Sequence, residues 1–329
     1  MTSDDMRIRD RRRFLGGSAA TLALLAAPGL LRAAGAVEAL QGRAFATEWQ
    51  LSLPGGSGAD TLRAPIEALL AEVDRQMSPW RPDSEVSRFN AAGAGDCALP
   101  EETLEVTRAA LGLARDSGGH FDPTVGPLVA RWGFGPIRGD AVPDWRGLQP
   151  GQGHLAKSHA GLTLDLCGIA KGYALDRMAA LVQAAGHESF LIDLGGELAA
   201  RGRHPSGRAW QVAVEDPRAA AKGLAGVLAL EGTVATSGSK AQGYDLDGRR
   251  YGHIIDPETG SPAAGRLLSV SVLGESAMMA DGWATALFAA GAVAGPDLAR
   301  RVGLDALFLS EGPQGLQRDI TGAFAARLL

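Results

Sequence analysis

The chain has 329 residues, 46% of them hydrophobic and 21% charged, the composition of an ordinary globular protein rather than of a disordered or fibrous one. A formal net charge of −5 with no long basic run argues against nucleic acid as a partner. Two cysteines exclude a disulfide-stapled scaffold: Cys97 and Cys167 either pair in an oxidising compartment or stay as thiols, Cys167 then being a small buried residue.

Near the N-terminus, Arg11-Arg12-Arg13 precedes an uncharged, Ala- and Gly-rich run over 14–31 that Pro28 interrupts. Ala34-Gly35-Ala36 then forms a small-x-small cleavage pattern. These are the marks of a twin-arginine export signal over 1–36, which predicts a periplasmic mature domain over 37–329. A membrane anchor is the competing reading. The run is short and weakly hydrophobic and ends in a cleavage pattern, so no stable anchor is expected. Cleavage after Ala36 removes six Arg and three Asp and takes the net charge from −5 to −8.

In chain order, 37–53 predicts a first strand centred on 47–53, and Pro54-Gly55-Gly56-Ser57-Gly58 a turn. An amphipathic helix follows over 59–77, with Ile66, Leu69, Leu70, Val73 and Met77 on one face. Ser84 and Ser87 are both candidate N-caps for a short helix in the next loop. A second long helix is expected over 100–117, with Pro100 at its start and Gly118-Gly119 past its end. Segments 121–129 and 132–135 hold too many Pro and Gly for a regular core element, and 138–157 reads as variable surface. A strand over 162–166, a helix over 168–185 and a strand over 189–194 come next. Short strands are expected over 210–214, 226–230, 233–236, 269–273 and 306–309, with helices over 277–291 and 296–302. Strands in runs with helices between some of them predict an α+β fold.

Four stretches carry chemistry. In Leu164-Asp165-Leu166-Cys167-Gly168-Ile169-Ala170-Lys171-Gly172, a strand ends at an Asp and turns into a helix with Lys171 in its first turn. Helix starts expose unpaired N–H groups that suit anions, although the spacing is neither a P-loop nor a dinucleotide fingerprint. Thr236-Ser237-Gly238-Ser239 offers hydroxyls and backbone N–H groups to a polar ligand, or is an ordinary Ser-rich turn. His253-Ile254-Ile255-Asp256-Pro257 runs into a turn; a lone His there is structural more often than catalytic. Asp281 and Thr285 share one helix face at i, i+4, which suits a hard cation such as Mg2+ or a plain N-cap or solvated Asp. No Cys/His spacing supports zinc, and no G-x-S-x-G supports a serine hydrolase.

Together with Ser78-Pro79-Trp80-Arg81-Pro82-Asp83-Ser84-Glu85-Val86-Ser87-Arg88-Phe89-Asn90, Phe121-Asp122-Pro123-Thr124-Val125-Gly126-Pro127-Leu128, Trp132-Gly133-Phe134 and Leu194-Gly195-Gly196-Glu197, these motifs resemble the ApbE family of FAD:protein FMN transferases from about Arg43 onward. The resemblance implies an ApbE-like (T-fold-like) architecture with a mostly antiparallel sheet and packed helices. It implies that Trp80 packs on the flavin or adenine rings and that Phe121, Asp122, Asp165, Lys171, Ser237 and Ile255 line the FAD site. Mg2+ would be held by Asp281, Thr285 and the Gly168 carbonyl, and His253 would act as base toward a Ser/Thr hydroxyl of an acceptor flavoprotein, with AMP released. For members with such export signals the acceptor class includes membrane redox proteins. FAD hydrolysis and non-catalytic flavin binding are the alternatives. The resemblance departs at Phe45-Ala46-Thr47, where the family has Met-Gly-Thr; the added methyl group bears on FAD affinity.

Overall fold

In the strand Thr47–Pro54 every second residue is large and apolar, and Trp49, Leu51 and Leu53 are all buried. The structure, a computed structural model, describes residues 36–218, 223–240, 242–247, 249–263 and 265–329, so the predicted export signal lies almost wholly outside them. Thr47–Pro54 pairs antiparallel with Val37–Ala44 on one side and with Phe190–Leu194 on the other. The expected single first strand is therefore a hairpin, turning at Phe45 (φ 50°) and Ala46 (φ 59°). A two-residue hairpin turn with both residues left-handed matches strand twist but favours Asn-Gly, because a Cβ is disfavoured there. Replacing Ala46 with Gly should relieve about 1 kcal/mol of this strain and raise the melting temperature by about 2 °C. An unchanged or lower value in a thermal melt would mean that the turn holds no such strain.

The main sheet has eight strands in chain order, every neighbouring pair antiparallel: Val37–Ala44, Thr47–Pro54, Phe190–Leu194, Glu197–Arg201, Gly232–Gly238, Leu267–Gly274, Ala306–Gly312 and Gly315–Thr321. Glu197–Arg201 and Gly315–Thr321 were not expected from the sequence. Central strands bury both faces, so they read as continuous apolar runs. Phe190, Ile192, Leu194, Ala235 and Phe308 join the larger core beneath the helices. Leu191, Leu198, Val234, Leu307 and Leu309 face the other way, toward the hairpin Trp210–Glu215 and Leu224–Leu230. The α+β expectation and the antiparallel sheet hold.

The helices Arg63–Met77, Glu101–Asp116 and Ala170–Ala184 fall where periodicity placed them. Ser84, rather than Ser87, caps Glu85–Ala91, its side chain accepting from the Ser87 N–H. The two expected C-terminal helices form one run, Ala277–Val302, broken at Gly291 (φ 81°).

Three expectations are corrected. Residues 162–166 form no strand: the Asn90 amide takes both the Leu164 N–H (2.7 Å) and its carbonyl (2.9 Å), and the Asp165 N–H goes to the Pro123 carbonyl (2.7 Å). Those backbone groups are satisfied by a side chain and a loop, so no ladder is needed. Segment 121–129 runs into a short helix, Gly126–Arg131, with Pro127 in its first turn, where a missing N–H costs nothing. Segment 138–157 is only partly surface. Leu148–Pro150 and His154–Lys157 build a three-stranded sheet with Gly95–Ala98, and Leu148 and Leu155 are buried.

Helix Ala277–Val302 is held against Ala170–Ala184 by two devices. A Cβ at Gly172 would collide with the Ala277 carbonyl, so only Gly permits the crossing. The Asp176 carboxylate accepts from the Ser276 hydroxyl (2.8 Å) and from the N–H groups of Ala277 (2.7 Å) and Met278 (3.0 Å), capping the helix from its neighbour. This fixes where Asp281 and Thr285 stand.

Candidate functional site

The turn before helix Ala170–Ala184 and the face of helix Ala277–Val302 meet at Gly168. A Cβ there would lie 3.1 Å from Thr285 Cγ2 and 3.2 Å from Phe121 Cε2, so the turn has little room for a side chain. The Thr285 hydroxyl donates to the Gly168 carbonyl at 3.4 Å, and Ser237 Oγ lies 3.3 Å from Thr285 Oγ1. One helical turn earlier, buried Asp281 accepts the Gly172 N–H at 2.9 Å. Burial pushes the Asp281 carboxyl above its ordinary range, while Lys171 and the Gly172 N–H pull the other way.

These oxygens suit a hard divalent cation. Mg2+ takes oxygen ligands, uses one or two carboxylates, and fills its remaining positions with substrate phosphates and water. Among the described residues no group of three or more His, Cys, Asp or Glu offers a softer metal a cage. The helix start itself is not a bare anion site. Its Gly172 N–H is taken by Asp281 and its Ala170 N–H by the Leu166 carbonyl (2.8 Å).

Lys171 supplies the positive charge. Its Nζ sits 2.6 Å from Glu197 Oε2 and 3.4 Å from the Gly195 carbonyl. Burial opposes its charge, but Glu197 and Asp281 prevail and raise its pKa, so it stays protonated. Burial raises the Glu197 carboxyl, with Lys171 opposing. Asp193 is also raised by burial and accepts the Gly196 N–H at 3.1 Å. Asp165, raised by burial, accepts the Cys167 N–H at 2.9 Å. Cys167 is exposed and Cys97 half-buried, both as free thiols, so neither the pairing nor the buried reading of Cys167 holds.

His253 contributes a proton acceptor. Its Nδ1 lies 3.3 Å from the Gln242 carbonyl. A carbonyl can only accept, so Nδ1 carries the proton and Nε2 keeps its lone pair. Burial lowers the ring's pKa to about 4, and the Lys171 charge adds to the fall. The imidazole is therefore neutral at neutral pH. Ile255, two residues on, is buried and pairs with Pro262.

The structure thus gathers Gly168, Asp281, Thr285, Ser237 and Phe121 at one corner, with the charge of Lys171 felt at both Asp281 and His253. Trp80 is 63% exposed on a loop braced by Arg81 pairing with Asp74 and Asp83, so it offers an open aromatic face. Asp122 accepts the Thr124 N–H (2.8 Å) and hydroxyl (2.6 Å), and burial raises its carboxyl. It braces a loop and lines a cleft of 230 Å³ with His120, Trp145, Arg146 and Pro257.

Several residues that shape the site carry no assigned role in the sequence reading, although Asn90 and Glu197 stand in its motifs. Asn90 and Lys157 build the approach to the Gly168 turn. The Lys157 ammonium is buried and donates to the carbonyls of Phe89, Asn90, Ala160 and Leu162. Glu197 is the counter-charge of Lys171. Its signal in the sequence is the Leu194-Gly195-Gly196-Glu197 motif, where it opens the strand Glu197–Arg201.

Comparison with known proteins gives the family. The model of the ApbE family matches residues 45–308, and the chain belongs to that family. It is 36% identical over 286 residues to the FAD:protein FMN transferase of Vibrio cholerae, covering 82% of this chain and 86% of that protein. The FAD:protein FMN transferase of Klebsiella pneumoniae is 32% identical over 311 residues, covering 88% of this chain and 89% of its own length. Among solved structures, the flavin transferase ApbE of Vibrio cholerae superposes with a TM-score of 0.81 at 33% identity, covering 89% of this chain and all of that one. The apo flavinyl transferase ApbE of Pseudomonas stutzeri also gives 0.81, at 35% identity and 91% and 98% coverage.

Proposed function

We propose that this chain is an exported, Mg2+-dependent FAD:protein FMN transferase. The observation that carries the reading is the convergence of the Gly168 carbonyl, Asp281 and Thr285, with protonated Lys171 close by and neutral His253 sharing its electrostatic field. The names of the relatives, FAD:protein FMN transferases, support it.

In this reading Gly168, Asp281 and Thr285 hold Mg2+, which when bound neutralises diphosphate charge. Lys171 adds a second positive charge and is held in place by Glu197. Phe121, Asp122, Asp165, Ser237 and Ile255 line the FAD site, and Trp80 covers a ring. His253 Nε2 takes the proton of an acceptor Ser/Thr hydroxyl as that oxygen bonds to the FMN phosphorus. The bond from that phosphorus to the bridging oxygen breaks, and AMP leaves with the bonding electron pair. Positioning and charge neutralisation are what phosphoryl transfer asks of a protein, so no covalent enzyme intermediate is invoked. Residues 1–36 direct the mature domain to the periplasm, where the acceptor is an exported flavoprotein such as a membrane redox protein.

The test incubates the mature protein with FAD, Mg2+ and an exported acceptor domain carrying a candidate Thr, followed by a denaturing gel under ultraviolet light. A fluorescent acceptor band is expected. Free FMN and AMP without a labelled band would show hydrolysis instead, and intact FAD bound one to one would leave only binding.

A further inference from the structure

The hairpin Gly243–Leu246 and Arg249–Gly252 stands outside the main sheet as a two-stranded unit, and such a unit is marginal by itself. Tyr244 and Tyr251 face each other across its ladder and stack at 5.5 Å with 21° between the rings. Each tyrosine stacks in turn on a ring from one short loop: Tyr251 on Trp132 (5.6 Å, 19°) and Tyr244 on Phe134 (5.4 Å, 19°). Trp132-Gly133-Phe134 therefore clamps the pair from both ends, with Gly133 at φ 88° between the two rings. The clamp is anchored, since Trp132 Nε1 donates to the Gly260 carbonyl at 2.8 Å. It also reaches His253, which lies edge-on to Phe134 at 6.4 Å. The residue immediately before the hairpin's first strand is Gln242, whose carbonyl faces His253 Nδ1.

We propose that Trp132, Phe134, Tyr244 and Tyr251 act as positioning residues, stacking the hairpin so that the Gln242 carbonyl and the Phe134 edge hold His253 in one tautomer and one orientation. The proposal rests on His253 being the base. Which ring nitrogen keeps its lone pair is set by the hydrogen bond that the other one makes. Without a fixed Gln242 carbonyl, nothing in the ring's chemistry keeps the proton on Nδ1, and the acceptor hydroxyl meets an N–H in part of the molecules. Offset aromatic stacking is directional, so it locates the hairpin more sharply than a two-stranded ladder does.

The test compares Tyr244→Leu and Phe134→Leu with Tyr244→Phe, each as the mature domain with FAD, Mg2+ and the acceptor domain. Nitrogen-15 NMR of histidine-labelled protein reads the His253 tautomer. The Leu variants should move the proton from Nδ1 toward Nε2 and lower kcat by about tenfold, part of the full effect of a general base, with KM for FAD little changed. Tyr244→Phe, which keeps the ring, should match the unaltered protein in both readouts. If Tyr244→Leu fails to fold, Phe134→Leu removes the stack on Tyr244 and the edge contact on His253 together. An unchanged tautomer in the folded Leu variants, or a loss confined to FAD affinity, overturns the proposal. A fully active His253→Ala would instead overturn the underlying base assignment, so the two failures are distinguishable.

Discussion

His253→Ala binds FAD as the unaltered protein does but loses transfer by about 10²- to 10⁴-fold, the usual contribution of a positioned base. The side chain's named contacts, the Gln242 carbonyl and the edge of Phe134, are with the hairpin and its clamp, so truncation leaves the Gly168 corner intact. The same geometry sets the pH dependence. Burial and Lys171 lower the ring's pKa to about 4, so the base is neutral and competent throughout the neutral range. Protonation of this base lowers activity on the acid side as pH drops through that value. The sign for stability is the same: the unfolded chain takes up the proton first, so His253 costs the fold stability as pH falls from the ordinary histidine value toward the lowered one. Steady-state transfer across pH, with FAD binding measured separately, checks both statements. Transfer at the unaltered rate in His253→Ala would remove this residue from the mechanism.

The second large effect is at Asp281. Asp281→Ala loses transfer and the response to Mg2+ together, but it also strands the Gly172 N–H, and a buried unpaired donor costs about 1–3 kcal/mol. Asp281→Asn separates the two roles, because an amide oxygen still accepts from Gly172 but carries no charge for the metal. Burial already disfavours the ionised carboxylate, so the Asn variant should fold at least as well as the unaltered protein without metal. With FAD present, Mg2+ stabilises the unaltered protein by mass action, whereas Asp281→Asn should show little shift in thermal midpoint and at least about a 100-fold loss of transfer. An equal Mg2+-dependent shift in the Asn variant would place the metal elsewhere.

Much of this was legible in the sequence because periodicity and helix punctuation are local. The helices ending at Met77 and Asp116 and the strand Phe190–Leu194 fall where their patterns put them. The stretch around Gly168 was harder to read. Its apolar residues look like a strand, yet Asn90, more than seventy residues earlier, satisfies Leu164 and leaves the segment extended without a ladder. Lys171 stands at a helix start whose free N–H groups suit an anion, but Asp281 occupies an N–H of that helix and Glu197 holds the ammonium. Neither contact has a local signature. The left-handed turn at Phe45-Ala46 was hidden for a different reason, since neither residue advertises a hairpin turn. The clamp on the His253 hairpin depends on four rings from two segments more than a hundred residues apart, a relation that only folding reveals.

The most direct measurement is the stoichiometry of the products: AMP released and FMN carried on the acceptor domain by intact mass, followed together in one reaction with FAD and with or without Mg2+. The reading predicts one AMP for each FMN gained by the acceptor, on a single Ser or Thr, and neither product when Mg2+ is chelated. AMP and free FMN accumulating while the acceptor keeps its original mass would contradict it.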